Sequence, residues 1–504
     1  MRLILFYLPF FFISLTSPIF SQKKRLEIPV ASATTQHYIF PMGENGVVAV
    51  SQTSGVPAEG VDTWVFTCYN TELEKLAERC IEIEARFSYR RYDTDGTDIY
   101  FIFHRPGGVR YHFIKFDAIT GSLARFSQKS VEHFEVGRFK AIGGYGFLLG
   151  EVRNTPTLLH LALRYGGGQV KALPVSTNRH SESATLVKDT VNRLVNFTFA
   201  NQSHHGAALA IQAYSPSGER LANISLHRQE GYCPLTGKLA ITKTGNALVA
   251  GTYGSRVGKK ATGIYVAKFD GNEQRYFRRH NLTDLEHFFD HLPKKKRERL
   301  ERRRQRREER GKDLELPHHL LVHDLIYRNG EYLLLAEAYS PSYRYKRIKA
   351  GGRFNRRRGR AKPGMVFDGY QYTHAAVAAF EGGSGRLLWD NSFELTSPKT
   401  STLHQKVHLG LAAGGELRMA YSNRGELRAK VIRGNQVVGQ AQSVSLRGEN
   451  DGAVKHVFTE AVGYWYGHYF LAWGKQQIKD LDGGPGDKRN VFYLNRVPFD
   501  ALSK

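Results

Sequence analysis

Apolar and polar residues alternate in short runs over almost the whole chain, and the runs are rich in Val, Ile, Tyr, Phe and Thr with Gly, Asn, Asp and Ser between them. A period of two puts every second side chain on one buried face, so the pattern predicts strands, and the polar punctuation predicts tight turns. Eight runs stand out: GVVAVSQ (46–52), DIYFIFH (98–104), GYGFLLGEV (144–152), LVNFTFA (194–200), NALVAGTYG (246–254), EYLLLAEAY (331–339), ELRMAYS (416–422) and HYFLAWG (468–474). A second run follows each, usually with a polar, Gly-containing turn after it, as in HFIKFDAITGSL (112–123), AIQAYSPSGERL (210–221) and AVAAFEGGSGRL (376–387). With Tyr69, Phe116, Tyr165, Tyr214, Phe269, Phe380, Ile432 and Val497 as equivalent marks, the spacings are 47, 49, 49, 55, 111, 52 and 65 residues.

The clearest unit runs from 321 to 395. LVHDLIYR leads through Asn329–Gly330 to EYLLLAEAY, and VAAFEGGSGRLLWD closes a four-stranded meander. Four strands in about 50 residues is the size of one propeller blade. The chain is therefore expected to be an all-β propeller of eight four-stranded blades, or seven if a terminal unit is shared, in one domain over 22–504. The period is too long for a β-helix coil and too regular for unrelated sandwiches.

The gap of 111 holds two insertions, at 281–316 and 341–371. In NLTDLEHFFDHL (281–292), Thr283 and Glu286 have capping-box spacing, and Leu285, Phe288, Phe289 and Leu292 recur at helical spacing, so a short amphipathic helix docked by one face is predicted. Pro293 ends it or starts a new turn. The run KKKRERLERRRQRREERGK (294–312) has one apolar residue, Leu300, and cannot bury a face; it is expected as a solvated helix held by pairs such as Glu298 with Arg302, or as disorder. The second insertion falls between the second and third strands of its unit, and long hairpin loops are usually functional or mobile.

The net charge of +25 over 504 residues belongs mostly to these insertions. Residues 294–312 carry a net +8 and residues 344–362 a net +10, which leaves about +7 for the rest of the chain. The second basic run is interleaved with Tyr343, Tyr345, Phe354, Phe367, Tyr370 and Tyr372. Guanidinium and aromatic groups together suit anionic or sugar-bearing ligands through bidentate hydrogen bonds and stacking. Arg344, Tyr345, Arg347, Arg353, Phe354, Arg356, Arg357, Arg358 and Arg360 are accordingly the candidate contacts. An anionic polysaccharide, lipopolysaccharide or an acidic protein is the expected partner. Sequence-specific nucleic-acid binding is disfavoured, because charge without a reading module gives only salt-sensitive backbone contacts.

The first residues, MRLILFYLPFFFISLTSPIFSQ, have one cation, an apolar stretch from Leu3 to about Leu15 and small residues before a polar start. This is the form of a signal peptide over 1–21, so a secreted or periplasmic protein is expected, with association at the cell surface compatible with it. Nothing later approaches the length of a membrane helix, and a monomer is expected. Three cysteines exclude a disulfide framework, although Cys68 and Cys80 have the spacing to bridge neighbouring strands.

At HDLIYRNGEYLLLAEAYSPSYR and VFDGYQYTHAAVAAFEGGSGRLLWDNSFEL the chain resembles an uncharacterised family of secreted Bacteroidetes-type proteins with repeated β units. The resemblance covers about 230–395 and implies an exported bacterial protein. It implies no activity and no catalytic residue.

Histidines cluster as His204–His205, His318–His319 with His323, His374, and His404 with His408. Metal binding would need a third ligand from another blade, so no metal site and no cofactor are expected, and structural histidines are the default. His323, Asp324 and Asp368 can be pictured as acid–base groups, but catalysis needs residues converging from several blades. Asp117 and Asp270 read as turn formers, and GGG (166–168) and DGGPGD (482–487) as turns. A non-enzymatic binding scaffold is the first expectation. A propeller enzyme acting on glycans is the alternative, and a quinone- or metal-dependent oxidoreductase a remote third.

Overall fold

In the computed structural model, residues 24–498 are described apart from 31–34, 55–59, 106, 130, 132–133, 154, 167–168, 176–180, 191, 202–206, 230, 242–245, 256–259, 329, 347–363, 412–414, 439–441, 448–453 and 480–487. The predicted leader, His204–His205 and the turn 482–487 therefore lie outside the described residues.

Eight antiparallel sheets follow one another around a ring. Their inner strands are Gln36–Pro41, Ser88–Asp95, Phe134–Ile142 and Ser181–Asp189 in blades 1 to 4, and Cys233–Pro234 with Lys238–Ile241 in blade 5. His319–Val322 with Ile326–Arg328, His408–Leu411, and Val454–Tyr466 are the inner strands of blades 6, 7 and 8. All eight predicted runs from 46 to 474 are the second strands of their blades. The marks Tyr69, Phe116, Tyr214, Phe269, Phe380, Ile432 and Val497 lie on the third strands and are all buried. Tyr165 differs: it lies three residues beyond the strand Thr155–Ala162 and is 90% exposed, because its run continues past the last buried residue, Leu163, into a turn.

Each core cluster lies between two neighbouring blades, so every blade is stabilised by its neighbours. Between blades 1 and 2, Phe40, Trp64 and Phe66 meet Phe101 and Phe116. Between blades 8 and 1, Trp465, Leu471 and Leu494 meet Ile39, Val47 and Leu73. The ring is closed by the first strand, Lys24–Pro29, which forms the outer edge of blade 8 beside Lys488–Pro498.

In a meander of four antiparallel strands, the hairpin between the second and third strands and the connection to the next blade emerge at the same end. Both insertions use such connections, one between blades 5 and 6 and one inside blade 6, so both rise from one face of the propeller, called here the upper face.

Residues 281–292 do not form the predicted helix. A single 3-10 turn, Leu282–Asp284, carries a capping box made by Asn281 and Asp284, two residues before the predicted Thr283 and Glu286. Leu282, Leu285 and Phe288 nevertheless dock by one side into the blade 5–6 cluster. Pro293 caps helix α1, Lys294–Glu308, which buries none of its residues. It is held by Arg304, which pairs with Glu308 at 2.8 Å and donates to the Thr283 carbonyl at 3.1 Å. Arg297 pairs with Asp290 at 2.9 Å. Cys68 lies opposite Ala77 and Cys80 opposite Val65, and both thiols are free. No helix of the described residues is long and apolar enough to cross a membrane.

Candidate functional site

The hairpin of blade 6 outgrows its sheet. Its strands, Glu331–Lys346 and Gly364–Glu381, stay paired from Glu331↔Glu381 to Lys346↔Gly364, so the insertion begins as a two-stranded arm standing on the upper face. Bulges after Ala338 and Ser342 re-aim the side chains. Beyond them, directly opposed residues share a face: Tyr343 lies across from Phe367, and Tyr345 from Met365. These four side chains are exposed, Tyr345 to 73%.

The aromatic rings form a ladder. Tyr343 meets Phe367 at 5.9 Å, Phe367 meets Tyr370 at 5.0 Å, and Tyr370 meets Tyr339 at 5.6 Å. Tyr339 stacks on His319 at 5.3 Å, where the inner strand of blade 6 begins. Burial raises the Tyr339 hydroxyl above its ordinary range, and Tyr370 and Tyr372 add to it. At the arm's root, Asp368 hydrogen-bonds Lys399 and lies 3.6 Å from Arg344. The Lys399 bond, first, and then the positive charge of Lys399 and Arg344 pull the Asp368 carboxyl below the usual range.

Of the predicted contacts, Arg344 and Tyr345 are on the arm; Arg347, Arg353, Phe354, Arg356, Arg357, Arg358 and Arg360 lie outside the described residues. The strand ends that flank these residues in sequence, Lys346 and Gly364, are paired with each other.

A second feature opens among the inner strands of blades 2, 3 and 4: a cavity of about 1110 Å³. Its charged lining comprises Arg91, Arg138, Lys140, Arg153, Glu135 and Glu151. Arg91 is tied to the Gly137 carbonyl at 2.6 Å, and Lys140 lies 3.3 Å from Asp93. The side chains of Arg138 and Arg153 have no partner among the described residues. Arg153 sits at the hairpin between the second and third strands of blade 3, so this cavity reaches the upper face too.

The histidines have separated roles. His323 Nε2 lies 2.6 Å from Glu337, a fully buried carboxylate that also accepts the Lys406 N–H at 2.9 Å and the Val407 N–H at 3.0 Å. This clasp joins blade 6 to the start of blade 7. Glu337 is one carboxylate in an apolar stretch of strand, and its isolation in LLLAEAY (333–339) was the available signal. Burial, then the positive potential of His323, Lys406 and His404, lowers His408 to about 4. His374 stacks on His291 at 3.9 Å, and burial lowers it to about 2. Asp324 pairs with Lys238 at 2.7 Å and Asp368 is on the arm, so His323, Asp324 and Asp368 do not converge. Asp117 does form its turn, accepting the Ile119 N–H at 2.8 Å and the Thr120 N–H at 3.1 Å. Among the described residues no three His, Cys, Asp or Glu side chains are placed to hold a metal.

No protein-family model and no curated protein matches the chain. Among solved structures, the polysaccharide lyase Uly1 is 10% identical, with a TM-score of 0.36 over 82% of this chain and 90% of its own. The dihydro-heme d1 dehydrogenase NirN, in complex with DHE, is 8% identical, with a TM-score of 0.41 over 95% and 81% of the two chains. The β-propeller domain of the Trilobed protease from Pyrococcus furiosus, described as having an open velcro topology, is 8% identical, with a TM-score of 0.35 over 82% and 99%. None of these likenesses bears on ligand or chemistry; the eight-bladed propeller rests on this chain's own strand pairing.

Proposed function

We propose that this chain is an exported bacterial scaffold that binds an anionic polysaccharide on its upper face without transforming it. The observation that carries the reading is the ring ladder from Tyr343 to His319, flanked by Arg344, with eight more Lys and Arg in the sequence between the arm's two strands. Aromatic faces pack against the C–H faces of sugar rings, and guanidinium groups take carboxylate or sulfate substituents. Arg138 and Arg153, whose side chains have no partner among the described residues, add positive potential on the same side, which would concentrate a polyanion there.

Immobilised alginate and hyaluronate, with neutral dextran as control, provide the test. The full chain is expected to bind the two polyanions and not dextran, with binding that weakens as salt rises. A Tyr343→Ser/Tyr345→Ser/Phe367→Ser variant should bind at least tenfold more weakly. Its stability should fall by no more than about 2 kcal/mol, because these side chains are exposed and only their ring contacts with one another and with Tyr370 are lost. Equal binding by the variant, or new reducing ends released from the polymer, would overturn the reading.

A further inference from the structure

A second site lies where α1 crosses the rest of its insertion. The helix face formed by Lys296, Arg299, Leu300 and Arg303, spaced as neighbours on one side of a helix, overhangs a cleft of about 460 Å³. The floor is apolar, made by Phe289, Leu292 and Leu316 beside Leu300, the helix's only apolar residue. His291 and His318 complete it, and burial lowers both below the ordinary histidine range, so the floor is uncharged at neutral pH.

The rim is cationic and unspent. Arg297, Arg304 and Arg307 fasten the helix to the body through Asp290, the Thr283 carbonyl and the Asp313 carbonyl. The side chains of Lys296, Arg299 and Arg303 have no partner among the described residues, and no carboxylate lines the cleft. Its volume is at the low end of the roughly 300–1,000 Å³ of small-ligand sites, room for one hydrocarbon chain and not the paired chains of a bilayer lipid.

We propose that this cleft binds a free single-chain amphiphile with an anionic head, a long-chain carboxylate, with its chain against Leu292, Leu300 and Leu316 and its head on Arg299 and Arg303. The proposal is independent of polysaccharide binding on the arm.

Laurate below its micelle concentration, titrated calorimetrically into the full chain, is the probe. One laurate should bind per chain, at least tenfold more tightly than butyrate or the neutral alcohol of laurate's length. Leu300→Asp and, separately, Arg299→Glu/Arg303→Glu should each weaken laurate at least tenfold. These residues are exposed or half-buried, so the melting temperature and alginate binding by the arm should be retained. Sedimentation with phosphatidylglycerol vesicles separates a free chain from a membrane headgroup. Laurate binding unchanged in both variants, no saturable laurate binding, or vesicle binding without laurate binding would each overturn the proposal.

Discussion

His374 has no exposed surface, and its Nε2 has no partner within the described structure, so its imidazole is folded in the neutral state. Burial, reinforced by the positive potential of His291 and His318, takes it from 6.5 to about 2. The unfolded chain therefore binds a proton near pH 6.5 that the folded chain refuses until far lower, so stability is full above 6.5 and falls as the pH drops below it. His37 and His408, both lowered to about 4 with burial as the first cause, push in the same direction over the upper part of that window. Urea unfolding at pH 8, 6 and 5 should show the loss, and His374→Asn should flatten the acid limb by up to about 1.4 kcal/mol per pH unit, whatever the substitution costs at pH 8. Identical slopes in the two proteins would show that this histidine is not held neutral. None of this can be read from HAAVAAF in the sequence, where a histidine in an apolar strand looks the same whether it is a ligand, a switch or filler.

At the scale of elements, local signals succeeded wherever a strand's own alternation decided its fate and failed where distant groups captured its hydrogen bonds. NLTDLEHFFDHL has helical spacing, but the Glu286 and His287 N–H groups, which in a helix would bond to the carbonyls of Leu282 and Thr283, donate instead to Asp390 at 2.9 and 2.8 Å. The Thr283 carbonyl is taken by Arg304. The basic run, expected as a solvated helix or as disorder, is the helix, and its arginines also reach backbone carbonyls, contacts invisible to a periodicity. The arm shows the same division: its position was readable, but 341–346 and 364–371, expected as loop, are paired strands, and its bulges and ring ladder depend on cross-strand register. One backbone position holds its root. Gly369 has φ +110, and a Cβ there would lie 2.4 Å from the Thr400 carbonyl oxygen, on the short strand Lys399–Thr400 that braces the arm. Gly369→Ala should displace that brace at a cost of about 1–3 kcal/mol, confined to the arm. Hydrogen exchange should quicken over 366–372 and 397–402 and stay unchanged over 333–337. Unchanged exchange in the arm would mean that the brace does not hold it.

Across the whole molecule, the recurring spacing of 47 to 65 residues was enough to expect a ring, and the break at 111 located the additions that make one face basic. How the ring closes was not readable, because KRLEIP finds its partner more than 460 residues away and its alternation resembles any edge strand. Yet the closure bears on every blade, since each core is shared by two neighbours. Lys24–Pro29 pairs residue for residue with Val491–Arg496, and Leu26 and Ile28 pack against the cluster shared by blades 8 and 1. Glu27 is clamped between Arg25, at 2.6 Å, and Arg489, while Arg25 lies over the Tyr493 ring at 4.7 Å. A chain starting at residue 31 should therefore be less stable than one starting at residue 23 by at least about 3 kcal/mol, from two aliphatic side chains and a full edge of backbone hydrogen bonds. Because the vacated edge of blade 8 is an open strand template, a peptide of residues 23–31 supplied in trans should add to it and restore the lost stability in a concentration-dependent way. The same peptide with Leu26→Asp and Ile28→Asp should not. If truncation leaves the unfolding midpoint where it was, the ring is held by its inter-blade cores alone and the first strand is only a cover.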